Sequence, residues 1–199
     1  MDNIPTRVIT RVMWRQTRPS SSLLRCDDPT RYPGRYNRAG DPGVWYASST
    51  ERGAWAELFR HWGQDEISPF EVKRRVGRAR VVDLAVLDLT DAQVRDELGV
   101  TAEDLISDDV TRCQELAAEA REAGFEGIIA PSAALDGEVT LAVFAAAMDK
   151  VVAEHSRIQR PPVRMIRVLE RVRIPDGAID TVGRLYEALV ALGRRLRRG

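Results

Sequence analysis

The sequence predicts one α/β domain of the α+β kind, a mixed sheet with helices around it. Three observations carry this. Runs rich in β-branched and apolar residues recur at 6–15, 80–89, 126–131 and 139–144. Between them lie segments whose apolar residues repeat at helical spacing behind Ser, Thr or Asp caps. A chain of 199 residues with 44% hydrophobic content is long enough to bury a sizeable core and is most economically one domain.

Residues 6–15 read as a first strand carrying Val8, Ile9 and Val12 and ending at Trp14-Arg15. Residues 16–33 are polar and rich in Pro and Ser, with Arg31 and Tyr32 near the end. A loop of that length in a compact domain is often functional. Gly34-Arg35-Tyr36-Asn37 follows, then Gly40, Pro42 and the apolar piece Val44-Trp45-Tyr46-Ala47. Ser48 with Glu51 three residues later is a capping-box pattern, so a helix is expected to start near Ser48 or Ser49. Trp55, Leu58, Phe59 and Trp62 form its apolar stripe. Glu57 lies at the edge of that stripe, with Gly53 and Ala54 as its small neighbours one turn back. Such a carboxylate can face a pocket, although on spacing alone a surface Glu is the commoner outcome.

Residues 64–80 read as charged and irregular, with Lys73, Arg74 and Arg75 on a solvated face. Residues 80–89 give one or two buried strands. Thr90 or Asp91 caps a short helix ending at Leu98-Gly99, and Thr101 opens another. Asp109 starts a longer helix in which Cys113, Leu116, Ala117 and Ala120 form one stripe and Gly124 is the stop. Gln114 lies beside that stripe. The strand at 126–131 ends in Pro131-Ser132-Ala133, where a Ser is commonly a turn residue. Val139 to Phe144 is a further buried strand. The tail reads as a strand over 163–174 and an amphipathic helix carrying Ile179, Val182, Tyr186, Leu189 and Val190. Residues 1–159 are thus expected to form the main body, and 160–199 a basic strand–helix extension packed on it.

Thirty basic and thirty acidic residues cancel, so the molecule as a whole gives no global attraction to nucleic acid or anionic membrane. The extension from Arg160 holds ten Arg against four acids, which leaves −6 on the rest. Cys26, Cys113, His61 and His155 are isolated and fit no metal or redox spacing. With no disulfide framework, no signal-type N-terminus and no apolar run long enough to span a bilayer, a cytoplasmic protein is expected, with no metal. A Gly-x-Gly-x-x-Gly after a strand, a Gly-x-Ser-x-Gly elbow and a paired His for a triad are all missing from the sequence.

The stretch from Gly34 to Glu57 resembles the RES-domain family, named for its Arg, Glu and Ser, whose members include toxins of bacterial toxin–antitoxin pairs. The shared pattern is Gly-Arg, an aromatic and Asn, then Gly-x-Pro, then a Tyr with a Glu eleven residues later; here these are Gly34 to Asn37, Gly40 to Pro42, Tyr46 and Glu57. Pro33 replaces a Gly and Tyr36 a Trp. The run Asp83 to Thr90 resembles the toxin branch, and Pro131-Ser132-Ala133 matches the family's Ser. The resemblance covers roughly residues 12–150.

The resemblance implies an ADP-ribosyltransferase-like fold that degrades NAD as a substrate, needs no further cofactor, and has a cognate antitoxin partner. Glu57, Arg35 and Ser132 are then the expected catalytic residues. Arg15, Tyr36, Asn37, Tyr46 and Gln114 are the expected dinucleotide-binding residues. The chemistry suits those types. Arg forks match phosphate oxygens, aromatic rings offer faces to flat bases, and a fixed carboxylate stabilises an oxocarbenium-like centre. The acceptor stays open at this point: inorganic phosphate makes an NAD phosphorylase, water a glycohydrolase, a protein side chain a mono-ADP-ribosyltransferase. The competing class is a non-catalytic binding module that uses the basic tail.

Overall fold

The computed structural model describes residues 1, 4–26, 33–61 and 72–175. Eleven elements are labelled here: β1 (Arg7–Thr17), β2 (Val44–Ser48), α1 (Glu51–His61), β3 (Arg74–Asp88), α2 (Ala92–Glu97), α3 (Ala102–Ile106), α4 (Thr111–Glu122), β4 (Gly127–Pro131), β5 (Val139–Phe144), β6 (Val151–Gln159) and α5 (Ile166–Leu169). The strands form one mixed sheet in the order β1-β2-β5-β4-β3-β6, with β3 and β4 parallel and the other pairs antiparallel. β1 pairs with β3 along its length as well as with β2, so the ring β1-β2-β5-β4-β3 closes on itself.

Alternation along these strands separates two cores. Ile9, Met13, Trp45, Val81, Val86, Ile129, Leu141 and Val143 pack together on one face. Leu87, Ile128, Ala130, Ala142 and Phe144 lie on the other, under the α4 stripe of Cys113, Leu116, Ala117 and Ala120. All four stripe residues are fully buried, which accounts for their spacing. The α2 and α3 caps are Asp91 and Thr101, the latter in a complete capping box with Asp104.

Three expectations change, and one strand is new. The cap of α1 is Thr50, two residues later than Ser48, and the helix begins at Glu51: the Thr50 hydroxyl accepts from Gly53 N, and Ser49 is turned toward Glu138. β3 begins at Arg74, so Arg74 and Arg75 are strand residues; cross-strand pairing with β1 and β6 overrides their charge. β6 is a strand that its exposed, weakly patterned residues did not announce. Where a strand was expected over 163–174, residues 163–169 form a 3-10 turn and α5, Val172 makes only an isolated antiparallel bridge to Leu135, and Met165, Val168 and Val172 pack with Trp55, Leu58 and Ala56. The Met165 and Val168 contacts come from helical spacing of apolar residues. Trp62, Arg31, Tyr32 and the tail helix lie outside the described residues.

Candidate active site

The Ser132 turn and Glu57 meet at the end of β4. Ser132 Oγ donates to Glu57 Oε1 at 3.1 Å, and Thr140 Oγ1 of β5 donates to the same oxygen at 3.2 Å. Two hydroxyls therefore hold one side of the carboxylate. Ser132 is itself fixed, because its Oγ accepts from Ala134 N and Leu135 N. Glu57 is half-buried, and Ser132 is fully buried. The register explains the meeting: Thr140 opposes Ala130 of β4 and Ser48 of β2, which places it on the α4 face of the sheet.

A second knot fixes the Gly34–Asn37 turn. The Tyr46 hydroxyl donates to Asn37 Oδ1 at 2.7 Å and accepts from Tyr36 N at 2.9 Å. Gln114 Nε2 donates to the carbonyls of Gly34 and Asn37, and Arg121 to that of Tyr36. Gly34 is required by packing: a Cβ there would sit 2.6 Å from the Tyr46 hydroxyl. The knot presents Arg35 beside Cys113 of α4, 3.9 Å from its Sγ. Burial pushes the Cys113 thiol up, against the pull of Arg35. The charges of Arg35 and Glu57 both reach the Tyr36 hydroxyl and the Arg60 guanidinium, with opposite effects on each.

Two of the expected dinucleotide-binding side chains lie apart from this corner. The Tyr36 ring is 1% exposed and packs in the α4-side core against Tyr46, so it has no free face for a base. Burial raises its hydroxyl well above the ordinary range. Arg15 is 5% exposed, with its guanidinium over the Trp45 ring at 5.6 Å. Trp14 opposes Ser48, so Arg15 points to the sheet face opposite Glu57 and Thr140. Asn37, Tyr46 and Gln114 act as the frame of the Arg35 turn. The structure thus gathers Arg35, Glu57 and Ser132 on one side, and does not bring Arg15 to them.

Sequence reasoning missed Thr140, Arg60 and Glu138. Thr140 is a hydroxyl in an otherwise apolar strand, and Arg60 interrupts a buried helix face one turn after Glu57; both were visible as oddities. Arg60 is buried, paired with Asp108, and donates to the Arg173 carbonyl. Burial lowers its pKa, with Asp108 opposing. Glu138 is 4% exposed and accepts from Ser49 Oγ, Thr50 Oγ1 and Arg52 Nε. Burial raises its pKa, but these three bonds outweigh that and leave the carboxyl below its ordinary range. It pins the α1 N-terminus to the turn before β5. Chemically, the arrangement offers a held carboxylate to a developing cation and an arginine to an anion.

Comparisons with known proteins place the chain in a family. The chain is 48% identical over 198 residues, covering 98% of itself and 95% of the relative, to a Mycobacterium tuberculosis protein named "Probable NAD(+) phosphorylase". Its fold matches, with a TM-score of 0.72 and 25% identity, a chain in the crystal structure of the M. tuberculosis MbcT–MbcA toxin–antitoxin complex; the match covers 80% of this chain and 90% of that one. The RES domain profile matches residues 5–166, a span that includes Arg35, Glu57, Ser132 and Thr140, and the chain belongs to the RES domain family.

Proposed function

We propose that this chain cleaves the nicotinamide–ribose bond of NAD with inorganic phosphate as acceptor, and that it is the toxin of a toxin–antitoxin pair. The observation that carries the reading is the Glu57 carboxylate held by Ser132 and Thr140, in a chain 48% identical over 198 residues to a protein named "Probable NAD(+) phosphorylase". As the bond to nicotinamide breaks, positive charge develops on the ribose, and Glu57 stabilises it electrostatically. The two hydroxyl donors fix the carboxylate in place, so little reorganisation accompanies the reaction. Arg35 takes the pyrophosphate with its fork of donors. A phosphate oxygen bonds to the anomeric carbon, and nicotinamide leaves as a neutral molecule. The product is ADP-ribose phosphate.

The test is NAD turnover in phosphate buffer and in a phosphate-free buffer, with products identified by mass. Nicotinamide release that depends on phosphate, with ADP-ribose phosphate formed, supports the reading. Equal rates with ADP-ribose as product make the chain a glycohydrolase. Label transferred to protein makes it a mono-ADP-ribosyltransferase. No NAD loss at all removes the enzymatic reading and favours a binding module. The antitoxin partner is supported by the likeness to the MbcT–MbcA complex. A partner carboxylate or chain terminus reaching Arg35 is the simplest way to compete with the dinucleotide.

A further inference from the structure

Residue 173 lies beyond the stretch that matches the RES domain, yet it touches the reactive corner from two sides. The Arg173 guanidinium donates from Nη1 to the Ser132 carbonyl at 2.9 Å and from Nη2 to Asp136 at 2.9 Å. Its backbone N donates to the Ala134 carbonyl at 2.9 Å, and Val172 bridges to Leu135. Its carbonyl accepts from Arg60 Nη1 at 2.7 Å. Arg60 lies three residues after Glu57 on α1, and Ser132 Oγ donates back to Glu57. The contacts form a closed circuit: Glu57 to Ser132, Ser132 to Arg173, Arg173 to Arg60, and Arg60 along the helix to Glu57.

We propose that Arg173 is a positioning residue of the active site, clamping the Ser132 turn against α1 so that Ser132 holds the Glu57 carboxylate. This rests on the NAD-cleaving reading above. Three arguments carry it. The Ser132 turn has only a short connection between β4 and β5, and its outer carbonyls need partners when buried. Arg173 supplies two of those, at the carbonyls of Ser132 and Ala134. The apolar side of the same segment, Met165, Val168 and Val172, is anchored on α1 and the turn, so the clamp is carried on a packed segment rather than a free tail. An error of about 1 Å at such a corner costs on the order of 10²-fold in rate.

The experiment is a double-mutant cycle in the full-length chain, read by kcat and KM for NAD. Arg173→Ala should lower kcat about 10- to 100-fold and leave KM within about threefold, because Arg173 acts through Ser132 and not on the substrate. Combined with Ser132→Ala, it should add little to the loss from Ser132→Ala alone, since residues in one network are non-additive. Arg173→Lys, which keeps the charge and one donor, should recover part of kcat. Should Arg173→Ala fail to fold, the Arg173→Lys variant and its pair with Ser132→Ala decide the matter by the same pattern. Wild-type kcat in the Arg173 variants, losses that multiply with Ser132→Ala, or a loss confined to KM would each overturn the clamp. A wild-type chain that leaves NAD intact would instead overturn the enzymatic reading on which it rests.

Discussion

Glu57 and Thr140 show what a single side chain decides here. Glu57→Gln keeps the shape of the side chain and its place between Ser132 and Thr140, but removes the charge that answers the ribose cation. NAD turnover should fall by roughly 10²–10³ with the thermal unfolding midpoint nearly unchanged, as measured by nicotinamide release and calorimetry. Turnover within a few-fold of wild type would assign the charge to another carboxylate. Thr140→Val is near-isosteric and deletes one of the two donors to Glu57 Oε1. A loss of about tenfold in kcat is expected, with the fold intact by circular dichroism. The residue types at positions 35, 57 and 132 were legible in the sequence through the family pattern, whereas Thr140, fixed only by strand register, was not. The pattern also named Tyr36 and Arg15, and their side chains went elsewhere: one into the core, the other to the opposite face of the sheet.

Among the elements, α1 depends most on a contact distant in sequence. Its first turn is held by Glu138, which accepts from Ser49, Thr50 and Arg52. Gly53 lets the carboxylate approach, as a Cβ there would lie 3.3 Å from Oε2. Glu138→Gln should cost about 1.5–3 kcal/mol of stability at pH 7, measured by urea unfolding. Its pH dependence has a definite sign. The folded-state pKa is depressed, so the carboxylate's contribution is present above the unfolded value of 4.5 and is lost as pH falls through the lower folded value. The stability gap between wild type and Glu138→Gln should therefore close in acid and stay constant above neutrality. A gap that widens on acidification would contradict the charged form of Glu138 as the pin. The caps of α2 and α3 and the α4 stripe were readable because they are local patterns of three to seven residues. β6 and the early start of β3 were not, because pairing with β1 and β3 stabilises strands whose own residues are charged or exposed.

For the whole molecule, the expectation is set by what it does to a cell. Expressed alone, the chain should stop growth and lower cellular NAD, while Glu57→Gln should leave both unchanged. Equal growth and level NAD for wild type and variant would remove the toxin reading. Co-expression of the cognate antitoxin should restore growth without lowering the amount of the chain.

The sequence by itself determined the mixed α+β class, the caps of α2 and α3 and the α4 stripe, and through the family pattern it named three candidate residues. The class and the helices follow from short-range periodicity, and the three residues from the resemblance to the RES family. Only the tertiary structure decided which of them meet. Strand register put Thr140 beside Glu57 and turned Arg15 away, because a one-residue step along a strand reverses the face of every side chain. Packing of apolar residues made 163–169 helical where a strand was expected, and the chain then returned to the Ser132 turn through the Val172 bridge. It thereby carried Arg173 back to Ser132 across forty-one positions of sequence, a contact that no local pattern encodes.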